Sequence, residues 1–146
     1  METVVISLGR HKQRLNTFFE RNKQYLEDIQ VFPAIDGSEI SNKHLGSRGL
    51  VVDPNWRDPI KKRALTKGEV GCFLSHFDLW QRCVRTNKTQ LILEDDALLT
   101  GPLPDDLEEK AKDGLLYLIW NEMEQAGERT DGDLTIPCYP YWTAAY

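Results

Sequence analysis

The chain has 146 residues, 40% of them apolar, with a formal net charge of −5. That length predicts one domain with a core of its own, and the acidic balance argues against nucleic acid as the main partner. There is no leader-like start and no apolar run near the roughly 20 residues that span a bilayer, so contact with a membrane is expected to be peripheral at most.

Thr3–Leu8, "TVVISL", is β-branched and almost wholly apolar, the pattern of a strand covered on both faces. Gly9 ends it, and "RHKQRLNTFFERN" carries Leu15, Phe18 and Phe19 at helical spacing. "DIQVFPAIDG" predicts a second strand closed by Pro33, then a turn at Asp36-Gly37. Ser38–Arg63 is polar, with two glycines and two prolines, and predicts a long loop holding one short helix.

"LTKGEVGCFLSHFDLWQRCVRTN" predicts a long helix. Thr66 as N-cap and Glu69 three residues on form a capping-box pattern, and Val70, Phe73, Leu74, Phe77, Trp80 and Val84 recur at three- and four-residue steps. Gly71 inside it costs up to ~1 kcal/mol against Ala and calls for a packing or access reason. "TQLILED" predicts a strand, "PLPDDLEEKAKDG" a helix, "LLYLIW" a buried strand over Leu116–Ile119, and "NEMEQAGERTDGDLT" a loop. Alternating strands and helices give an α/β fold with a mostly parallel sheet, whose ligands sit at the carboxyl ends of strands. Cys72, Cys83 and Cys138 form no two-residue-gap pair; they are expected to be reduced thiols, in a cytoplasmic setting.

"LILEDDA" places Glu94, Asp95 and Asp96 where a buried strand emerges. Alternation puts Glu94 and Asp96 on one side and Asp95 on the other, so the first two are candidate ligands for a hard divalent cation. The bland alternative is an acidic turn that ends a strand.

Four blocks, "ISLGRHKQR", "AIDG", "LTKGEVGCFLSHFDLW" and "LILEDDA", together resemble glycosyltransferase family 25 over Val5–Ala97, about two thirds of the chain. The resemblance implies a GT-A nucleotide-sugar fold, a UDP-sugar donor (most often UDP-galactose), a glycan or glycoconjugate acceptor, Mn²⁺ or Mg²⁺, and transfer to a hydroxyl with inversion. It carries donor-binding roles onto Ser7, Leu8, Arg10, Arg14, Asp36, Gly37, Glu69 and Ser75, and metal-binding roles onto Glu94 and Asp96. His76 and Asp95 are the catalytic candidates, with the base unassigned. An Arg at the first strand's end suits diphosphate or uracil, and Asp36 suits ribose or uracil. Each has a bland counterpart: a solvated helix start for Arg10 and Arg14, a plain turn for Asp36-Gly37, the capping acid for Glu69, a core histidine for His76. Family members are commonly longer and continue into a block resembling Gly-Thr-His-Ala-Tyr; "YWTAAY" has Trp142 in the glycine place and Ala144 in the histidine place. The expectation is one glycosyltransferase domain over 1–146, incomplete at its C-terminus. The alternatives are a non-catalytic nucleotide-sugar-binding module and another metal-dependent phosphoryl-transfer or hydrolase domain built on the acids.

Overall fold

A computed structural model describes residues 1–59, 61–111, 114–116, 118, 128–130 and 134–136. Its described elements are β1 (Glu2–Ser7), α1 (Lys12–Asn22), β2 (Gln30–Pro33), a 3₁₀ turn (Gly37–Glu39), α2 (Asn42–Ser47), α3 (Lys67–Thr86), β3 (Gln90–Glu94), α4 (Leu107–Ala111), β4 (Glu128–Thr130) and β5 (Leu134–Ile136). The fold is α/β: β2, β1 and β3 form a parallel three-stranded sheet in that order. Contacts divide the chain into two compact units. One holds Met1–Ser7, His11–Phe32 and the described residues from Lys88 on; the other holds Leu8–Arg10 and Pro33–Asn87.

In the first unit, β1 and β3 pair from Glu2↔Gln90 to Ile6↔Glu94. Val4, Val5, Leu91, Ile92 and Leu93 are all at most 2% exposed, so both faces of these strands are covered, as their unbroken apolar runs require. Val5, Leu91 and Leu93 join Phe18 of α1 and Leu26 in the core, and Ala97, Leu99 and Leu103 pack against it.

In the second unit, α3 starts with the capping box that its sequence announces. Thr66 Oγ1 accepts from the Glu69 N–H at 3.2 Å, and the Glu69 carboxylate accepts from the Thr66 N–H at 2.7 Å. The helix ends at Asn87 in the left-handed conformation (φ 52°). Gly71 has its packing reason. A Cβ there would lie 2.6 Å from Gly37 N and Ile35 O, and a Cβ on Gly37 would collide with the Lys67 carbonyl. Two bare backbones touch where the "AIDG" turn crosses the first turns of α3.

Three expectations change. The buried residues of α3 are Gly71, Leu74, Ser75, His76 and Leu79, whereas Phe73 and Val84 are 45% and 84% exposed. The apolar period marked a wider stripe than the helix buries. The polar segment expected to be a loop holds β4 and β5, an antiparallel pair of three-residue strands too short to show alternation. Ser38–Arg63 contains a 3₁₀ turn as well as a short helix. The strand expected over Leu116–Ile119 lies largely outside the described residues, as do Cys138 and the "YWTAAY" block. Among the described residues Cys72 and Cys83 form no disulfide, and no helix is long and apolar enough to cross a membrane.

Candidate functional site

The carboxyl ends of β1 and β3 bring together side chains far apart in sequence. The register that sets Ile6 beside Glu94 leaves Ser7 and Asp95 as the next pair. Ser7 Oγ donates to Asp95 Oδ2 at 2.6 Å. Arg14, in the first turn of α1, places one guanidinium nitrogen 2.5 Å from Asp95 Oδ1 and 3.0 Å from Asp96 Oδ2. Asp95 is 7% exposed and held through both oxygens, while Asp96 is 61% exposed.

The strand alternation expected through Asp96 stops at Glu94. The Ala97 N–H donates to the Glu94 carbonyl at 3.0 Å, closing a turn that brings both aspartates to one arginine. An open groove of about 300 Å³ lies beside them, lined by Gln13, Arg14, Thr17, Arg21, Asp95 and Asp96. Gln13, Thr17 and Arg21 share the face of α1 that borders it.

Sequence reasoning missed the residue that ties this turn to α1. Asn22 is fully buried at the end of the helix. Its Nδ2 donates to the Phe18 and Ala97 carbonyls at 2.9 and 3.0 Å, and its Oδ1 accepts from the Leu99 N–H at 2.8 Å. The signal available was weak: a polar residue one turn beyond Phe18, on the helix's buried side.

The second unit carries the other expected donor residues. Leu8 is half-buried. Arg10 is ion-paired with Asp36, and Asp36 caps the 3₁₀ turn by accepting from the Ser38 N–H at 3.0 Å. Gly37 is buried against α3. Ser75 is fully buried; its Oγ donates to the Gly71 carbonyl and accepts from the Ile35 N–H, both at 2.8 Å. The hydroxyl thus straps the "AIDG" segment to the helix.

Glu69 is the capping acid and also holds Arg63 through two hydrogen bonds of 2.7 Å. Those bonds pull its pKa down to about 2, against partial burial and with help from Thr66. His76 is 2% exposed and its ring lies 6.4 Å from that of Trp80.

The chemistry these groups offer is that of a polar anion site. Hard carboxylate oxygens are the donors that Mn²⁺ or Mg²⁺ takes, and Asp96 presents its carboxylate to solvent at the groove. Arginines suit phosphate. Of the two expected metal ligands, Asp96 stands at this groove, where a cation would have to displace Arg14, while Glu94 does not line it.

In a parallel α/β sheet ligands bind at the carboxyl ends of the strands, which is where these charged groups gather. The comparison with known proteins gives the family. The family described as Glycosyltransferase family 25 (LPS biosynthesis protein) matches residues 1–130, and the chain belongs to it. A glycosyltransferase 25 family member of Anopheles gambiae is 34% identical over 154 residues, covering 97% of this chain and 26% of the relative. The inactive glycosyltransferase 25 family member 3 of Mus musculus is also 34% identical, covering 99% of this chain and 26% of its own. Procollagen galactosyltransferase 2 of Mus musculus is 28% identical, covering 99% and 25%. The chain spans about a quarter of the length of these curated relatives.

Proposed function

We propose that this chain forms the donor side of a metal-assisted, inverting sugar transfer from a UDP-sugar, UDP-galactose first, to a hydroxyl of a glycan or glycoconjugate. The observation that carries the reading is the meeting of Ser7, Arg14, Asp95 and Asp96, from positions 82 and 88 residues apart, beside an open groove. The family and a procollagen galactosyltransferase among the relatives supply the chemistry.

In the reaction, the acceptor oxygen bonds to the anomeric carbon as the bond to the β-phosphate oxygen breaks. UDP leaves with the electron pair, and a base takes the acceptor proton. Mn²⁺ or Mg²⁺, when bound, would offset charge on the leaving diphosphate. Arg14 supplies a second cation at the same strand ends. Ser7 and Arg14 fix the buried Asp95. His76 and Asp95 are the residues to test as base.

A second reading is nucleotide-sugar binding without transfer. Arg14 already neutralises part of the acidic turn, and relatives as similar as 34% are named inactive. One experiment tests both: purified chain with UDP-galactose, Mn²⁺ and a glycan panel, following donor binding, UDP release and product mass separately. A glycosylated product supports transfer. Binding without product supports the second reading. Absence of binding sinks both.

A further inference from the structure

We propose that Arg14 is a built-in counter-cation of the acidic turn: it competes with a divalent metal for Asp96 and yields when a diphosphate enters the groove. The proposal rests on the reading of this turn as a metal-assisted donor site, and deepens it by making metal loading follow nucleotide binding.

Three observations carry it. A single nitrogen of Arg14 touches both aspartates, at 2.5 and 3.0 Å. A cation approaching Asp96 therefore meets a positive charge already on that carboxylate, and metal binding alone is weakened by repulsion. The two aspartates are also held unequally. Asp95 is buried and fixed on its other side by Ser7, while Asp96 is 61% exposed. Asp96 is the carboxylate that can be surrendered without unpacking anything. The Arg14 side chain is itself 48% exposed and borders the groove, so it has room to swing.

The groove supplies the competitor for Arg14. Arg21 lies two turns further along α1, lines the same groove, and pairs with no carboxylate among the described residues. A diphosphate drawn in by Arg21 offers Arg14 oxygens in the paired geometry that a guanidinium prefers. Moving Arg14 from Asp96 to phosphate releases a hard oxygen donor at the moment when the diphosphate needs a metal. Coupling of this kind is reciprocal, so bound metal must favour the diphosphate by the same factor.

The test is Mn²⁺ affinity of the full chain, by calorimetry and by the electron spin resonance of free Mn²⁺, with and without UDP. The proteins are wild type, Arg14→Met, and Arg14→Met with Asp96→Asn. Arg14→Gln repeats the measurement should Arg14→Met fail to give the native circular dichroism spectrum. Without UDP, Arg14→Met should bind Mn²⁺ at least tenfold more tightly than wild type, and the added Asp96→Asn should abolish that gain. UDP should raise Mn²⁺ affinity more in wild type than in Arg14→Met. Equal Mn²⁺ affinity in wild type and Arg14→Met, or a gain that survives Asp96→Asn, overturns the competition while leaving the donor site standing. No Mn²⁺ binding by any of them, with or without UDP, overturns both.

Discussion

Glu69 shows how much one residue's neighbours decide. Thr66-x-x-Glu69 is legible as a capping box because every partner lies within three residues. Its engagement by Arg63 was not, because that depends on how the loop before α3 folds back. Together they lower the Glu69 pKa from its ordinary 4.5 to about 2. A group with a depressed folded-state pKa adds stability above its unfolded pKa and loses it as pH falls through the folded one. The Glu69 contribution should therefore be complete above about pH 5 and decline between 4.5 and 2. Denaturant titrations of wild type and Glu69→Gln at pH 7, 4 and 2 should show a gap that narrows with acid. A gap that stays constant would show that Glu69 acts through shape alone. At the acidic turn, by contrast, alternation misled the reading beyond Glu94. The period of two holds only while the strand continues, and nothing in "EDDA" marks the hydrogen bond that ends it.

Elements make the next scale, and two junctions carry weight there. At Gly71 opposing effects can be compared. Ala would gain up to ~1 kcal/mol of helix propensity, but its Cβ would lie 2.6 Å from two backbone atoms of Ile35 and Gly37. Backbone cannot yield as a side chain does, and overpacking costs about 1–3 kcal/mol. Gly71→Ala should therefore destabilise by about 1–2 kcal/mol in urea unfolding; a stabilised variant would contradict the crossing of the two backbones. Asn22 is the counterpart at the end of α1. Truncation to Ala takes their side-chain partner from the Ala97 carbonyl and the Leu99 amide, while the Phe18 carbonyl keeps its helical bond, a loss of about 2–4 kcal/mol. It also frees the segment after the acidic turn. The Leu99 amide should exchange with solvent at least tenfold faster in Asn22→Ala, and beyond the change in global stability. Unchanged relative protection would reduce Asn22 to an ordinary core residue. The extents of β1, α1, α3 and β3 were legible because apolar period and caps are local signals. The Asn22 clamp was not, because its partners Ala97 and Leu99 lie 75 and 77 residues away.

For the whole molecule the question is whether a sheet edge read as a donor site behaves as one. The family match covers residues 1–130, while the substrate is a proposal, so the measurement has to discriminate among nucleotides. A ligand that binds only the folded chain stabilises it by RT ln(1 + [L]/Kd), about 2.7 kcal/mol at a hundredfold excess over Kd. For a chain of this size each kcal/mol moves the melting point by about 2–4 °C. UDP at that excess with Mn²⁺ should raise Tm by about 5–10 °C by scanning calorimetry. UDP without metal should give a smaller shift, because Arg14 and Arg21 alone would then meet the diphosphate. GDP and ADP, which share the diphosphate, should fall below UDP by whatever the uracil contacts contribute. Their difference from UDP therefore isolates base recognition from charge. Equal shifts for all three diphosphates would mean that the strand ends form a general polyphosphate site. No shift with any of them would remove the donor reading and leave the meeting of Ser7, Arg14, Asp95 and Asp96 as a structural joint between β1, α1 and β3.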